Sequence, residues 1–316
     1  MNPTAKINKG SDGSRKAAKI AKLKLQLPLH LMLLPGLIIV LIYNYIPMGG
    51  LAMAFQNYKP ALGFFKSKWV GWENFKMLFS FPDFSKIIYN TIFIAIAKLI
   101  LGLIIPIVFA FLINEVKNRY FVKTVQTLAY LPNFLSWVIL GGIFANILSP
   151  STGIVNKFLE LIGLEPQYFL GNNALFPWTL IITDVWKNFG YGSIVYLAAL
   201  TGIDSSLYEA AAIDGAGKFR QTLAVTLPGI APIVFVMAIL SLGNILNAGF
   251  DQVFNMYSPQ VYESGDILDT FIYRLGLEQA QFSLSTAVGL FKSIISFVLI
   301  SFSYFMAHKY GDYRIF

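Results

Sequence analysis

Six long apolar runs alternate with short polar segments along this chain. They cover residues 28–54, 89–113, 122–148, 174–200, 229–250 and 282–307. A helix needs about 20 largely apolar residues to cross a bilayer, and each run is long enough. The pattern predicts an all-α polytopic membrane protein with six transmembrane helices. Proline and glycine interrupt several runs, which is tolerated where neighbouring helices satisfy the freed backbone groups. The domain plan is a basic tail at 1–27, one transmembrane domain at 28–310 and a short tail at 311–316. The Lys-, Ser- and Gly-rich start of the chain reads as a tail without fixed structure. Ala52-Met53-Ala54 resembles a signal-peptidase site, but the run before it is too long and is interrupted by Pro47, so a retained helix is expected.

Composition narrows the class. Charged residues make up 13% of the chain, against about 25% in soluble domains. There is no cysteine, and His30 and His308 are the only histidines. Thiol chemistry is excluded, and neither a histidine-based metal site nor a catalytic site is expected. The net charge of +8 does not imply nucleic-acid binding, because Lys and Arg cluster in the tails and loops.

Their distribution sets orientation. Seven lie in the N-terminal tail, followed by Lys117, Arg119 and Lys123, then Lys218 and Arg220, then Lys309 and Arg314. The opposite side has seven, five of them in the long first loop. The bias places both termini in the cytoplasm. No internal repeat is evident, which argues against a secondary transporter built from inverted repeats.

The loop at 203–228 should therefore face the cytoplasm. Ser206 followed by Glu209 reads as a capping box that starts a short helix over 207–214. Gly215 and Gly217 fit its end. A second helix over 218–226 leads to Pro228 at the start of helix five. The Gly-Ala-Gly-Lys run at 215–218 lacks the spacing of a phosphate loop, so any ATPase must be a separate chain.

Glu209-Ala210-Ala211-Ala212-Ile213-Asp214-Gly215, continued by Val225-Thr226-Leu227-Pro228, resembles the signature loop of permease subunits of ATP-binding-cassette importers. Val225 stands where the family usually has Ile. Trp69-Val70-Gly71-Trp72-Glu73-Asn74-Phe75, Asn90-Thr91, Leu131-Pro132, Gly153-Ile154-Val155-Asn156, Asp184-Val185-Trp186-Lys187 and Ala198-Ala199-Leu200 resemble the carbohydrate-uptake branch. The stretch Asn247 to Val253 and Asp269-Thr270 are similar to its subgroup for complex oligosaccharides. The resemblance implies a second permease subunit, two ATPase subunits that bind ATP and Mg²⁺, and an extracytoplasmic solute-binding protein. This chain would bind no cofactor and catalyse nothing. Glu209, Ala210, Ala211, Asp214, Gly215 and Pro228 would then couple it to the ATPases.

Ionisable residues inside apolar helices mark functional positions, since each costs about 2.5–3.5 kcal/mol on insertion scales. Lys98, Asp184 and Lys292 fall nine or ten residues inside their runs, about 14 Å deep. Asp184, Lys187, Asn188 and Tyr191 share one helical stripe, and Asn244, Asn247 and Asp251 a second. Both stripes, with Lys98 and Lys292, are candidates for the substrate path; Asp184 and Lys187 are equally placed to pair with each other. Trp137, Trp178 and Trp186 are candidate sugar platforms, although such residues also form interfacial belts. Three lysines against one aspartate favour an acidic cargo such as uronic-acid oligosaccharides. Neutralising Lys98 and Lys292 would then weaken uptake of acidic sugars more than neutral ones. The rival readings are a permease for another solute, a stand-alone channel or ion-coupled transporter, and an intramembrane enzyme.

Overall fold

A computed structural model describes residues 12–243 and 245–310, without the side chains of 12–25, 303 and 306–310. Asn244, Lys6, Lys9, Arg314 and the tail at 311–316 lie outside the described residues, as does the Lys309 side chain. The chain divides into two units, residues 1–52 and 53–316.

The first unit is mainly one helix, α1 (Asp12–Val40), which continues through a π turn at Leu41–Tyr45 into Ile46–Met48. Helix therefore begins well inside the segment expected to lack fixed structure. Leu29, Met32, Leu33, Leu37, Tyr43 and Ile46 are all exposed within the unit. A helix that is apolar all round belongs in lipid or against other protein.

The second unit opens with a hairpin of β1 (Gln56–Asn57) and β2 (Lys68–Trp69), paired Gln56 to Trp69 and Asn57 to Lys68. All other regular structure among the described residues is helical. Besides single helical turns at Gly63–Lys66 and Tyr262–Gly265, the helices are α2 (Glu73–Ser80), α3 (Phe84–Asn114), α4 (Arg119–Tyr130), α5 (Trp137–Ile147), α6 (Ile154–Leu161) and α7 (Phe176–Leu200). After them come α8 (Ser205–Ile213), α9 (Lys218–Gln221), α10 (Leu227–Leu242), α11 (Phe250–Met256), α12 (Leu268–Tyr273) and α13 (Phe282–Tyr310).

Helices α3 and α7 form the central pair. Ile94 and Ala95 of α3 meet Phe176 and Leu180 of α7, and Ala248, Val253, Met256, Val261 and Ile267 complete that core. Nearer the start of α3, Phe84 and Ile87 pack with Leu268 and Phe271 of α12 and with Leu284 and Val288 of α13. At its far end Ala110 packs with Tyr196, Leu200 and Ile230. Lipid is as apolar as leucine, so close backbone approach matters more here than burial from water. Gly190 of α7 shows this: a Cβ there would run into the backbone of Ala129 on α4.

Two expected spans are not single helices. The run at 122–148 bends by 107° between Arg119–Phe134 and Trp137–Ile147. Pro132 lies at the break, and Ser136 restarts the helix by accepting the Ile139 amide at 3.4 Å. The run at 229–250 stops at Leu242. Gly249 adopts φ +93°, a left-handed conformation, before α11 begins. The segment after it, expected to be an outer loop, is a packed series of short helices with Gln252, Asp266 and Thr270 fully buried.

Gln26–Phe55, Phe84–Asn114, Lys218–Leu242 and Phe282–Phe302 are long and apolar enough to cross a membrane, and the bent pair makes a fifth candidate. Helix α7, with 25 residues, is about 37 Å long at 1.5 Å per residue. Its polar stripe keeps it out of the apolar set.

Replacing Gly190 with leucine is expected to separate α4 from α7 and to lower the thermal midpoint of the detergent-solubilised protein by several degrees. Gly102→Leu is the control, because nothing lies within 4 Å of a Cβ there. Equal melting of the two variants would contradict the close packing.

Candidate functional site

Two regions carry the candidate residues. The first is the loop around α8. Its cap is Asp204, whose Oδ1 accepts the Ser206 amide at 2.9 Å. The expected capping box from Ser206 does not form, because the Asp204 carboxylate starts the helix earlier and leaves Ser206 inside it. The hydrogen bond from the Ser206 amide holds the Asp204 carboxyl below its ordinary value.

The end of α8 matches the expectation for Gly215, which sits at φ +75°. The Ala216 amide reaches the Ala211 carbonyl at 2.9 Å and the Gly215 amide reaches Ala212 at 3.0 Å. These two bonds are a Schellman closure, which needs a left-handed residue at that point. Gly217 then starts α9. That helix does not stop at Pro228 but runs on through a π turn at Thr222–Thr226 into α10. Pro228 has no amide to donate one turn back, and the widened turn absorbs the gap.

The loop is fixed at a few points. Tyr208 Oη lies 3.0 Å from Thr226 Oγ1, Gln221 donates to the Ala216 carbonyl at 2.9 Å, and Lys218 pairs with Glu115 at 2.9 Å. Glu209, Ala210 and Asp214 are exposed, and Ala211 is half-buried. Leu207, Ile213 and Phe219 are also exposed, Ile213 to 86%. The result is a short helix held from behind that offers small and apolar side chains outward.

The second region surrounds the break between α10 and α11. On one side a cleft of about 370 Å³ is lined by Lys98, Leu99, Asp184, Ser241, Asn247 and Gly249. On the other a cleft of about 400 Å³ is lined by Asn247, Phe250, Asp269, Lys292 and Ser296. Asn247 is exposed and borders both. Each cleft holds an ion pair: Lys98 Nζ lies 3.7 Å from Asp184 Oδ1, and Lys292 Nζ 2.5 Å from Asp269 Oδ1.

The predicted residues are thus only partly assembled. Lys98 and Asp184 meet, whereas Lys292 lies in the other cleft. Asp184 pairs with Lys98 rather than with Lys187, whose ammonium sits 5.2 Å from the Trp137 ring centroid. Asn188 accepts a hydrogen bond from Asn133 at 3.0 Å, and Tyr191 meets the Phe134 ring edge-on. The α7 stripe therefore faces Asp184 into a cleft and its other members toward the elbow between α4 and α5. Asn247 and Asp251 do not share a helical stripe: α10 ends at Leu242, before Asn247, and Asp251 lies exposed in the first turn of α11. The lysine surplus shrinks as well, since two of the three lysines are matched by carboxylates.

Several residues were not anticipated. Gln252 is fully buried and donates to the Leu180 carbonyl at 2.7 Å and to Thr183 Oγ1 at 2.8 Å. Asp266 is buried and takes both arms of Arg274, which stacks over Tyr262 with 4.4 Å to the ring centroid. The spacing of Asp266, Thr270 and Arg274, one helical turn apart each time, was the available signal.

A polytopic helical chain with a projecting loop helix and polar clefts beside a broken helix has the architecture of a membrane-transport permease. Residues 100–312 match the family described as binding-protein-dependent transport system inner membrane component, and the chain belongs to that family. Protein LplB of Bacillus subtilis (strain 168) is 39% identical over 297 residues, covering 94% of this chain and 93% of the relative. The polygalacturonan/rhamnogalacturonan transport system permease protein YteP of the same organism is 40% identical over 297 residues, 94% of this chain and 92% of its own. A crystal structure of a bacterial ABC transporter involved in the import of the acidic polysaccharide alginate contains a similar chain. The TM-score is 0.85 and the identity 39%, over 93% of this chain and 99% of that one. The alginate transporter bound to its pentasaccharide-loaded periplasmic protein matches with a TM-score of 0.83 and 39% identity, over 92% of this chain and 96% of that one.

Two changes test the loop. Gly215→Val is expected to destabilise the turn by about 1–2 kcal/mol, the left-handed penalty, while Gly215→Asn is tolerated. Hydrogen exchange of the Ala216 amide should rise only in the first. The depressed Asp204 carboxyl makes the cap's contribution present above the ordinary carboxylate range and lost as pH falls through the folded value. Exchange at Ser206, corrected for intrinsic rate, should therefore increase on acidification, and Asp204→Asn should flatten that dependence.

Proposed function

We propose that this chain is one of two permease subunits of an ATP-driven importer for acidic oligosaccharides. It spans the cell membrane six times with both termini in the cytoplasm, and α7 is the fourth crossing segment in chain order. An extracytoplasmic solute-binding protein delivers the cargo, and two separate ATPase subunits bind ATP and Mg²⁺. The single observation behind the cargo is the identity of 39–40%, over nearly the whole chain, to YteP and to an alginate importer chain. The count of intramembrane lysines no longer supports it, because Lys98 and Lys292 are paired.

The physical part of the reading lies in α8. Leu207, Ile213 and Phe219 are exposed among the described residues, and a groove on one of the two ATPases is the surface that takes them. The Schellman turn at Gly215 fixes the angle between α8 and α9, and α9 continues unbroken into α10. A push on α8 is thereby carried into the membrane-spanning part and toward the break at 243–249. The clefts flanking that break, with Asp184, Asn247, Asp269 and Ser296, form part of the sugar path in this subunit.

The test is reconstitution with a second permease, the ATPases and the binding protein in proteoliposomes. Binding protein loaded with oligogalacturonate is expected to raise ATP hydrolysis severalfold, and a neutral oligosaccharide of equal length to raise it less. Gly215→Leu should assemble yet lose the stimulation. Uptake without ATP would instead identify a stand-alone transporter. Because the chain has no cysteine, single cysteines report topology cleanly. A cysteine at Glu209 should react with an impermeant thiol reagent only from the cytoplasmic side, and labelling from outside would reject the orientation.

A further inference from the structure

Lys98 lies in the middle of α3 with a side chain only 9% exposed, and three groups surround its ammonium. It donates to the Ala248 carbonyl at 2.7 Å and to Gln252 Oε1, and Asp184 Oδ1 completes the set at 3.7 Å. An ammonium has three protons; two of them meet acceptors at hydrogen-bond distance, and the Asp184 carboxylate balances the charge from 3.7 Å. The partners come from different places: Ala248 from the break, Gln252 from α11 and Asp184 from α7. Gln252, itself 0% exposed, uses its amide to hold the Leu180 carbonyl and Thr183 Oγ1 of α7. A single chain of hydrogen bonds thus runs from α3 through the break and α11 to α7. Gly249 lies against it, and a Cβ there would sit 3.0 Å from the Lys98 ammonium.

We propose that Lys98 is a positioning residue, which with Gln252 latches the break between α10 and α11 onto α3 and α7 and does not take the cargo's carboxylate. The latch sets where Asn247 stands. Asn247 is exposed, borders both clefts and orients itself by accepting the Gly249 amide at 3.3 Å. In this arrangement Asn247 meets the sugar and Lys98 fixes the platform. The inference rests on the importer reading above for its assay and reverses the acid-selective role that sequence alone gave Lys98. A buried lysine replaced by methionine would leave the Ala248 carbonyl and Gln252 Oε1 without a donor, which is costly for buried polar groups.

The experiment compares Lys98→Met, Gln252→Met and the double variant in the reconstituted importer, with oligogalacturonate and a neutral oligosaccharide as cargo. Each single change is expected to lower maximal uptake about fivefold or more, with KM for loaded binding protein within about twofold and the acidic-to-neutral ratio unchanged. The double variant should be no worse than the poorer single, as expected for two residues acting through one contact. Asn247→Ala should show the opposite split, raising KM. Loss confined to acidic cargo in Lys98→Met, additive loss in the double variant, or uptake at the wild-type level would each overturn the proposal. Should Lys98→Met fail to copurify with its partners, Lys98→Arg decides. A cargo carboxylate accepts arginine, so retained acidic uptake would sink the latch, whereas a fall of about threefold or more on both cargoes supports it. If the wild-type importer carries only neutral cargo, the acidic reading fails, while the double-variant comparison still judges the latch.

Discussion

Backbone groups freed by a helix break cannot turn to solvent when the surroundings are apolar. That requirement organises the centre of this molecule. The chain interrupts two of its long helices, at 131–136 and at 243–249, and each interruption exposes peptide groups. At the first, Ser136 caps the new helix and Asn133 reaches across to Asn188. At the second, Lys98 from α3 supplies the donor to the Ala248 carbonyl. Similar satisfaction recurs in the segment after α11. There Asn90 of α3 donates to the carbonyls of Glu263 and Asp266, and Thr91 accepts the Leu268 amide. Polar residues inside the apolar helices are therefore structural first, and the clefts exist where this internal bonding leaves room.

Much of this organisation was legible beforehand. Apolar runs gave the long helices, because their length and composition leave few alternatives. The loop at 203–228 was read as a short helix, a left-handed glycine and a second helix, and Gly215 stands at φ +75°. What failed were details decided by competition between neighbours. Asp204 displaced the box from Ser206 because a carboxylate two residues upstream accepts the same kind of amide. Pro228 stands in the first turn of α10 as expected, but a π turn joins that helix to α9 without a break.

The larger omissions have a common cause. The segment 251–281 contains no long apolar run, so periodicity offered only a loop. Its order comes from contacts with residues more than 150 positions away, such as Lys98 to Gln252 and Asn90 to Glu263. Pairing of charges was invisible for the same reason. Asp184 lies one helical turn from Lys187 and looked like its partner, yet Lys98 from another helix is nearer its carboxylate. Charge counts along a sequence give the cost of the buried ions but not which ones cancel.

The contact at Gly190 has one further consequence. Main chain rests directly on main chain there, with no deformable side chain between α4 and α7. Two rods seated in that way translate jointly, since neither can slip without a steric clash. Strain arriving from one end must then be released at the 107° elbow beyond Tyr130. The flexing joint of this subunit would be the corner, and the rods it connects would stay rigid.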